Sequence, residues 1–211
     1  MKTVYFVRHG ESEGNAGPLR QSPDTPLTEL GKEQARIVAA RAAKLSFETV
    51  LSSTYARARE TADYIVDKTG KPIEYTDLFV ERRRSSVVIG QAKNDPAVLA
   101  AEAAILSNFA TPGYRHSDEE NFDDLKERAA KALAYLTERG EESLLVVTHG
   151  FFLRILLAYA FFGEGLTGRE CELFIQKLRQ KNTGLTVLTY DREELPRGWS
   201  LTTWNDHAHL G

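Results

Sequence analysis

At 211 residues, 42% hydrophobic and 27% charged, the chain has the make-up of one globular domain with room for a substantial core. A net charge of -3 argues against a general nucleic-acid or membrane-binding surface, so any positive potential must be local, with Arg8, Arg57, Arg59 and Arg82 to Arg84 as candidates. The one cysteine, Cys171, excludes an internal disulfide and a multi-cysteine zinc site and suits a reducing cytoplasm, and no apolar run is long enough for a signal peptide or a membrane span.

Thr3 to Val7 is a short β-branched and aromatic run and reads as a buried strand. It stops at Arg8-His9-Gly10. Two basic side chains at the carboxyl end of a buried strand are costly unless something uses them. In open α/β sheets, ligands bind in the crevice outside those strand ends. Gly10 removes a side chain where the backbone turns sharply or comes close to a ligand. An anionic ligand beside His9 is therefore expected. Glu11 to Thr25 follows as a polar loop rich in Gly, Pro and Ser, of a length that is usually functional. Ser12 and Asn15 could donate hydrogen bonds to a phosphate there, or could serve turns in a solvated loop. Arg20, Gln21 and Ser22 are candidates for the mouth of a site.

Thr28 is a good cap for a helix running to about Lys44, with Leu30, Ala35, Val38, Ala42 and Leu45 as its apolar stripe. Phe47 to Leu51 is the next strand. Ser53 or Thr54 can cap a helix to about Lys68, which puts Arg57 in its first turn near a second strand end. A positive helix end plus a guanidinium makes an anion site. Arg59 lies roughly 200° round that helix, so Arg57 is assigned to the anion and Arg59 to a surface carboxylate or the rim.

Ile73 to Tyr75 is a short strand, and Asp77 to Gly90 follows with Glu81 and the three arginines Arg82 to Arg84. Those arginines read either as a solvated face or as readers of a second anionic group on a substrate. Asp95 to Phe109 is an Ala-rich amphipathic helix with Pro96 in its first turn, and residues 82–118 read as an inserted cap, with His116 on its surface. A helix over about Phe122 to Arg139 precedes the apolar run Ser143 to Thr148, which ends in His149-Gly150. A buried histidine alone is more often a satisfied core residue than a catalyst, but two strands that each end in His-Gly point to function. Phe151 to Phe161 and Arg169 to Gln180 are helical, Thr183 to Tyr190 is a strand, and Trp199 to Trp204 is a last edge strand. His207 and His209, two apart, are a weak metal signal and fit a tail packed on the core.

The ordered set R-H-G-E-S-x-x-N, P-L-T-x-x-G-x-x-Q-A and T-H-G after a late strand resembles the histidine phosphatase superfamily, the phosphoglycerate mutase-like clan. The resemblance runs from Val4 to about Thr186 and includes S-x-x-x-R-A-x-x-T-A at Ser53, Arg57, Ala58, Thr61 and Ala62. It implies one domain over 1–211, a three-layer α/β/α sandwich with a mostly parallel central sheet, helices on both faces and the small cap. It also implies a phosphate-binding role for Asn15, a place near the site for Asn182, and the acid's role for Glu81. The Gly-Trp-Glu-Gly-like block that usually follows that Glu is absent.

The catalytic set implied is His9, Glu81, His149, Arg8 and Arg57, and the substrate-binding set is Arg8, Asn15, Ser12, Ser22, Arg57, Arg82 and Gly150. His9 would be the nucleophile of a phosphohistidine mechanism that needs no metal and no cofactor. Arg8, Arg57 and, if protonated, His149 would surround the phosphate. Glu81 would protonate the leaving oxygen, which requires a pKa above that of a free carboxylate. The expected activity is hydrolysis of small phosphomonoesters in the cytoplasm. The alternatives are a 2,3-bisphosphoglycerate-dependent phosphoglycerate mutase and a non-catalytic phospholigand-binding module. Glu13-Gly14-Asn15 stands where the mutases usually carry Trp-Asn, which favours the phosphatase. The expected partner is a small phosphorylated metabolite, with no nucleic acid or membrane, and an apolar edge strand or Phe161-Phe162 could serve a homodimer.

Overall fold

Short runs of β-branched and aliphatic residues form the strands, and the helices between them bury one apolar stripe each. The strands are Lys2–Arg8 (β1), Thr49–Ser52 (β2), Ile73–Tyr75 (β3), Ser143–Thr148 (β4), Leu185–Asp191 (β5) and Gly198–Asp206 (β6). The helices are Glu13–Ala16 (α1), Glu29–Ala42 (α2), Ala56–Thr69 (α3), Pro96–Ser107 (α4), Phe122–Glu138 (α5), Gly150–Phe162 (α6) and Gly168–Lys177 (α7). The computed structural model describes residues 1–191, 193 and 198–211.

All six strands lie in one sheet, in the order β3-β2-β4-β1-β5-β6. β1, β2, β3 and β4 pair in parallel, whereas β5 is antiparallel to β1 and β6 is antiparallel to β5. The expected α/β sandwich with a mostly parallel sheet is present, and β6 is its edge. Successive strand side chains point to opposite faces. Val7, Val50, Leu145 and Val147 therefore pack with Val38, Ala42, Ala58 and Ile65 of α2 and α3. Phe6, Leu51, Leu144 and Val146 pack with Leu125, Leu136, Phe152 and Leu156 of α5 and α6. Each such fully buried aliphatic side chain is worth roughly 1.5–3 kcal/mol.

The caps match their sequence signals. Thr28 Oγ1 accepts from Gly31 N at 3.0 Å. Asn121 and Asp124 exchange side-chain to backbone bonds at 3.0 Å each way. Asp95 Oδ1 accepts from Ala97 N at 2.7 Å, with Pro96 opening α4. Two expectations are corrected. The Glu11 to Thr25 segment is not all loop, since α1 forms within it. And α4 is not amphipathic: it is apolar nearly all round, yet buries only Val98 and Ala101, against Val88 of the preceding segment. Leu99 and Leu106 stay 50% and 59% exposed.

Register places the functional ends together. Arg8 pairs with Thr148, and Ser52 with Val147. The three strands thus finish level, and the next residues, His9, His149 and Ser53, emerge at one edge of the sheet. His9 N donates to Thr148 O at 2.9 Å and Ser53 N to Val147 O at 3.0 Å.

Candidate active site

His9 and His149 are 2% and 0% exposed, and their ring centroids are 5.0 Å apart. His9 Nδ1 bonds its neighbour's carbonyl, Gly10 O, at 2.6 Å. A carbonyl only accepts, so the ring proton is on Nδ1 and Nε2 keeps its lone pair. Burial, then the charges of Arg57 and Arg8, hold the His9 pKa well below 6.5. Burial and Arg57 do the same to His149. Both imidazoles are therefore neutral at pH 7, and the protonation on which a positive His149 depends is disfavoured in this site.

Ser53, read from sequence as a helix cap, instead faces His149, with Oγ 2.7 Å from Nε2. Ser53 Oγ already accepts from Tyr55 N at 3.2 Å. A hydroxyl donates as well as accepts, and its proton, given to Nε2, assigns the His149 ring proton to Nδ1, the nitrogen with no partner among the described residues. Tyr55 caps α3, and its ring lies 5.4 Å from the His149 ring and 5.2 Å from the Arg57 guanidinium carbon.

Arg57 is in the first turn of α3, as expected, and is 1% exposed. Its Nη1 donates to Ser22 O at 3.0 Å, so Ser22 meets the site through its carbonyl. Thr61 ties the same helix to the first strand end, accepting from Gly10 N at 3.0 Å and donating to Arg57 O at 2.7 Å. Arg8 Nη1 donates to Gln180 O. A Cβ on Gly150 would lie 3.1 Å from Arg8 Nε, so that glycine gives Arg8 its room. Gly10 serves the fold rather than a ligand: a Cβ there would meet Gly31 O of α2 at 2.5 Å. Arg8 Nε, Arg57 Nε and His149 Nδ1 are buried donors with no hydrogen-bond partner among the described residues. An unpartnered buried donor is costly and marks a functional site. Three of them around one histidine suit an anion with several acceptor oxygens.

Glu81 lies at the start of α6. Its Oε1 accepts from Arg82 N and Phe152 N, both at 2.9 Å, and its Oε2 from Phe151 N at 3.2 Å. Burial pushes its pKa up, but those three N–H groups and Arg57 outweigh it, and the net shift is downward. Glu81 is ionised at neutral pH here, which corrects the raised pKa expected from its role. The segment before it is pinned from two sides. Thr148 Oγ1 donates to Phe79 O at 2.7 Å, and Arg128 Nη1 to Val80 O at 2.8 Å. Arg128 is itself held by a bidentate pair with the buried Glu120, at 2.8 and 2.7 Å.

Asn15 belongs to the site's edge. Its Oδ1 accepts from Ser12 N at 3.1 Å and from Asn182 Nδ2 at 3.4 Å, and Asn182 also donates to His9 O at 3.0 Å. Ser12 does not reach the site. It is 0% exposed, and its hydroxyl is engaged with Asn15 Oδ1 and Gln21 Oε1 inside the loop. Arg59 is directed away from the histidines, over the Tyr75 ring at 4.8 Å, rather than onto a carboxylate. His116 is exposed. A cavity of about 350 Å³ opens beside Arg57 and Glu81, walled by Gln21, Ser22 and Tyr55 and by Arg82 to Arg84. Arg82 makes no ion pair among the described residues and lies over Phe151 at 4.4 Å.

No group of three or more His, Cys, Asp or Glu able to hold a metal ion occurs among the described residues. No helix there is long and apolar enough to cross a membrane. Sequence reasoning missed Ser53, Tyr55, Glu120, Arg128 and Gln180. Only Ser53 carried a signal, its place at a strand end and in the S-x-x-x-R-A pattern, but it was given the role of a cap and not of a partner to His149.

A family model described as histidine phosphatase superfamily (branch 1) matches residues 4–207. A Photorhabdus laumondii protein named "Probable phosphoglycerate mutase GpmB" is 31% identical over 217 residues, covering 100% of this chain and 95% of that protein. A protein of the same name from Escherichia fergusonii is 30% identical over 218 residues, with the same coverage. Among solved structures, Bacillus stearothermophilus YhfR aligns over 100% of both chains with a TM-score of 0.84 and 24% identity. A mycobacterial glucosyl-3-phosphoglycerate phosphatase in complex with VO3 aligns over 97% of this chain and 99% of that one, with a TM-score of 0.77 and 22% identity. These two share the fold.

Proposed function

The chain belongs to the histidine phosphatase superfamily, branch 1, and from that membership we propose that it hydrolyses small phosphomonoesters through a phosphohistidine on His9, without a metal. The observation that carries the proposal is the state of His9: neutral, held through Nδ1 by Gly10 O, and surrounded by buried donors that lack acceptors. A neutral imidazole whose other nitrogen is held is a competent nucleophile.

In the first step His9 Nε2 attacks phosphorus. The N–P bond forms, the P–O bond to the leaving group breaks, and the leaving oxygen takes a proton from Glu81. Arg8, Arg57 and His149 Nδ1–H donate to the non-bridging oxygens and offset their charge. In the second step water attacks the phosphohistidine, Glu81 takes a proton from that water, the N–P bond breaks and phosphate leaves. Glu81 is ionised in the unliganded site, so it needs the substrate to gain its proton. A bound phosphate offsets Arg57 and Arg8 and adds a negative charge nearby, and both effects raise a carboxylate's pKa.

The cavity's size suits a small metabolite rather than a folded protein. Arg82, which makes no ion pair among the described residues, would hold a second anionic group on the substrate, and Asn15 would hold the phosphate through its Nδ2. A reducing cytoplasm fits the buried, unpaired Cys171. One observation favours a second reading, a phosphoglycerate mutase: the name carried by the relatives at 30–31% identity.

The test is phosphate release from a panel of phosphomonoesters, 3-phosphoglycerate included, in excess EDTA. Release from one or more of them without added metal is expected. Formation of 2-phosphoglycerate in place of free phosphate, on priming with 2,3-bisphosphoglycerate, would establish the mutase instead. No reaction under either condition would leave a binding module.

A further inference from the structure

Four cap and mouth arginines, Arg82 to Arg84 at the cavity and Arg20 at an adjoining one, are not in the same state. Arg84 Nη1 bonds Glu102 Oε1 at 3.0 Å, and Arg20 Nη2 is paired with the other oxygen, Oε2. Glu102 comes from α4, Arg84 from the segment after Glu81, and Arg20 from the loop after α1. All three side chains are mostly buried, Glu102 at 22% exposure. Arg84 lines the cavity next to Arg57 and Glu81. Arg20 lines an adjoining cavity of about 370 Å³, and the two cavities share Gln21 and Ser22. Arg20 Nε is a further buried donor without a partner. Arg83 is engaged elsewhere, with Glu120.

Glu102 is not needed to join the two arms of the mouth. Their backbones are already paired, by Arg20 N to Gln91 O at 2.9 Å, Gly90 N to Arg20 O at 2.9 Å and Lys93 N to Pro18 O at 2.8 Å. What Glu102 does do is satisfy one guanidinium from each arm with a single internal carboxylate. Charge-assisted bonds of this kind compete directly with an anionic ligand for the same donors.

We propose that Glu102 is a specificity-determining residue, an internal counter-ion that occupies Arg20 and Arg84 and so limits the anionic groups the mouth accepts, beyond the transferred phosphate, to the one that Arg82 meets. This rests on the phosphatase reading above. It makes the mouth selective for phosphomonoesters with one extra negative group over those with a second phosphate.

The experiment compares kcat/KM for glycerol 3-phosphate, 3-phosphoglycerate and 2,3-bisphosphoglycerate in the wild type, in Glu102→Gln and in Glu102→Gln combined with Arg84→Gln. Glu102→Gln is expected to raise the 2,3-bisphosphoglycerate to glycerol 3-phosphate ratio by on the order of tenfold, through KM. The kcat for glycerol 3-phosphate is expected to hold, and the added Arg84→Gln change to remove the gain. An unchanged ratio, or an equal loss on all three compounds, overturns the proposal and makes Glu102 a strut. If the wild type turns over none of them, the phosphatase reading is decided separately by the wider panel of phosphomonoesters. Dissociation constants of the same three compounds for the same variants then decide: an unmoved affinity ratio overturns the counter-ion, and a shifted one supports it.

Discussion

At the residue scale, the site is a set of proton positions as much as a set of side chains. His9 Nε2 is free to attack because Nδ1–H is held by Gly10 O, and His149 Nδ1–H is free to donate because Nε2 is held by Ser53. Ser53→Ala removes that second constraint and lets the His149 proton shift to the wrong nitrogen. A fall in kcat of about tenfold with little change in KM is expected, since a lost hydrogen bond of about 1.4 kcal/mol is one decade in rate; steady-state kinetics would read it, and an equal effect on KM would point to a binding role. Glu81→Gln should cost on the order of 10²–10⁴-fold for an alkyl phosphate and much less for p-nitrophenyl phosphate, whose leaving group needs little help. Glu81 is held low by its three backbone donors, so its protonated fraction falls as pH rises. Wild-type kcat for the alkyl phosphate, which reports Glu81 in the substrate complex, should therefore fall as pH rises, with a flatter profile for Glu81→Gln. Glu81 was reached only through the family resemblance, whereas the histidines, Arg8 and Arg57 could be read from the chain because each sits beside a strand end or in a first helical turn. The partners that set their proton positions could not. Ser53 and Gln180 meet His149 and Arg8 only across the fold, at sequence distances of 96 and 172 residues.

At the element scale, α6 has two duties at one end. Its first backbone N–H groups hold Glu81, and its opening Gly150 leaves space for Arg8. A helix N-terminus stabilises a carboxylate, which is why Glu81 stays ionised until a second anion enters. The segment that delivers Glu81 has no regular structure beyond the short turn Asp77–Phe79 and depends on Arg128 and Thr148 for its place. Arg128→Met leaves Glu120 buried without its bidentate partner and frees the Val80 carbonyl. A loss of about 3 kcal/mol in urea unfolding is expected, together with a reduced kcat; a variant as stable as the wild type would show that Arg83 alone satisfies Glu120. The tail supplies a second support. His209 Nδ1 meets Arg41 Nη1 at 3.0 Å, and its Nε2 meets Thr183 Oγ1 at 3.2 Å. Thr183 has φ 55, a strained conformation for a β-branched residue, and its N–H bonds Arg8 O at 2.9 Å. The central strands were legible as short apolar runs, buried almost throughout in β2 and β4, and the helices by one apolar stripe each. The character of α4 was not: an Ala-rich run suggested one buried stripe, but the helix sits on a loop segment around Val88 instead of on the sheet.

At the scale of the whole molecule, the sheet buries a cationic, uncharged-imidazole site at one edge, and this has a cost in acid. Burial and the arginines keep His9 and His149 neutral in the folded chain, whereas the unfolded chain protonates them near 6.5. Below that pH the unfolded state binds more protons, so stability falls as pH falls. The wild-type Tm should drop between pH 7 and pH 5.5, and His149→Gln should flatten part of that slope; an unchanged slope would mean that His149 is charged in the fold. Inorganic phosphate, which satisfies the unpartnered donors, should raise Tm with the logarithm of its concentration above Kd, adding about 2.7 kcal/mol of stability at a hundred times its Kd. The layered architecture followed from the motif order, while the cavity above it depends on how three separate segments meet, and only the coordinates show that.

The most direct measurement is to incubate the protein with a phosphomonoester it turns over, labelled in the phosphate, in excess EDTA and to stop the reaction in alkali. Covalent label should be found on the peptide carrying His9, stable in base and lost in acid as a phosphohistidine is, and it should be missing from His9→Ala. Turnover that depends on an added divalent cation, or that survives in His9→Ala, would contradict the account.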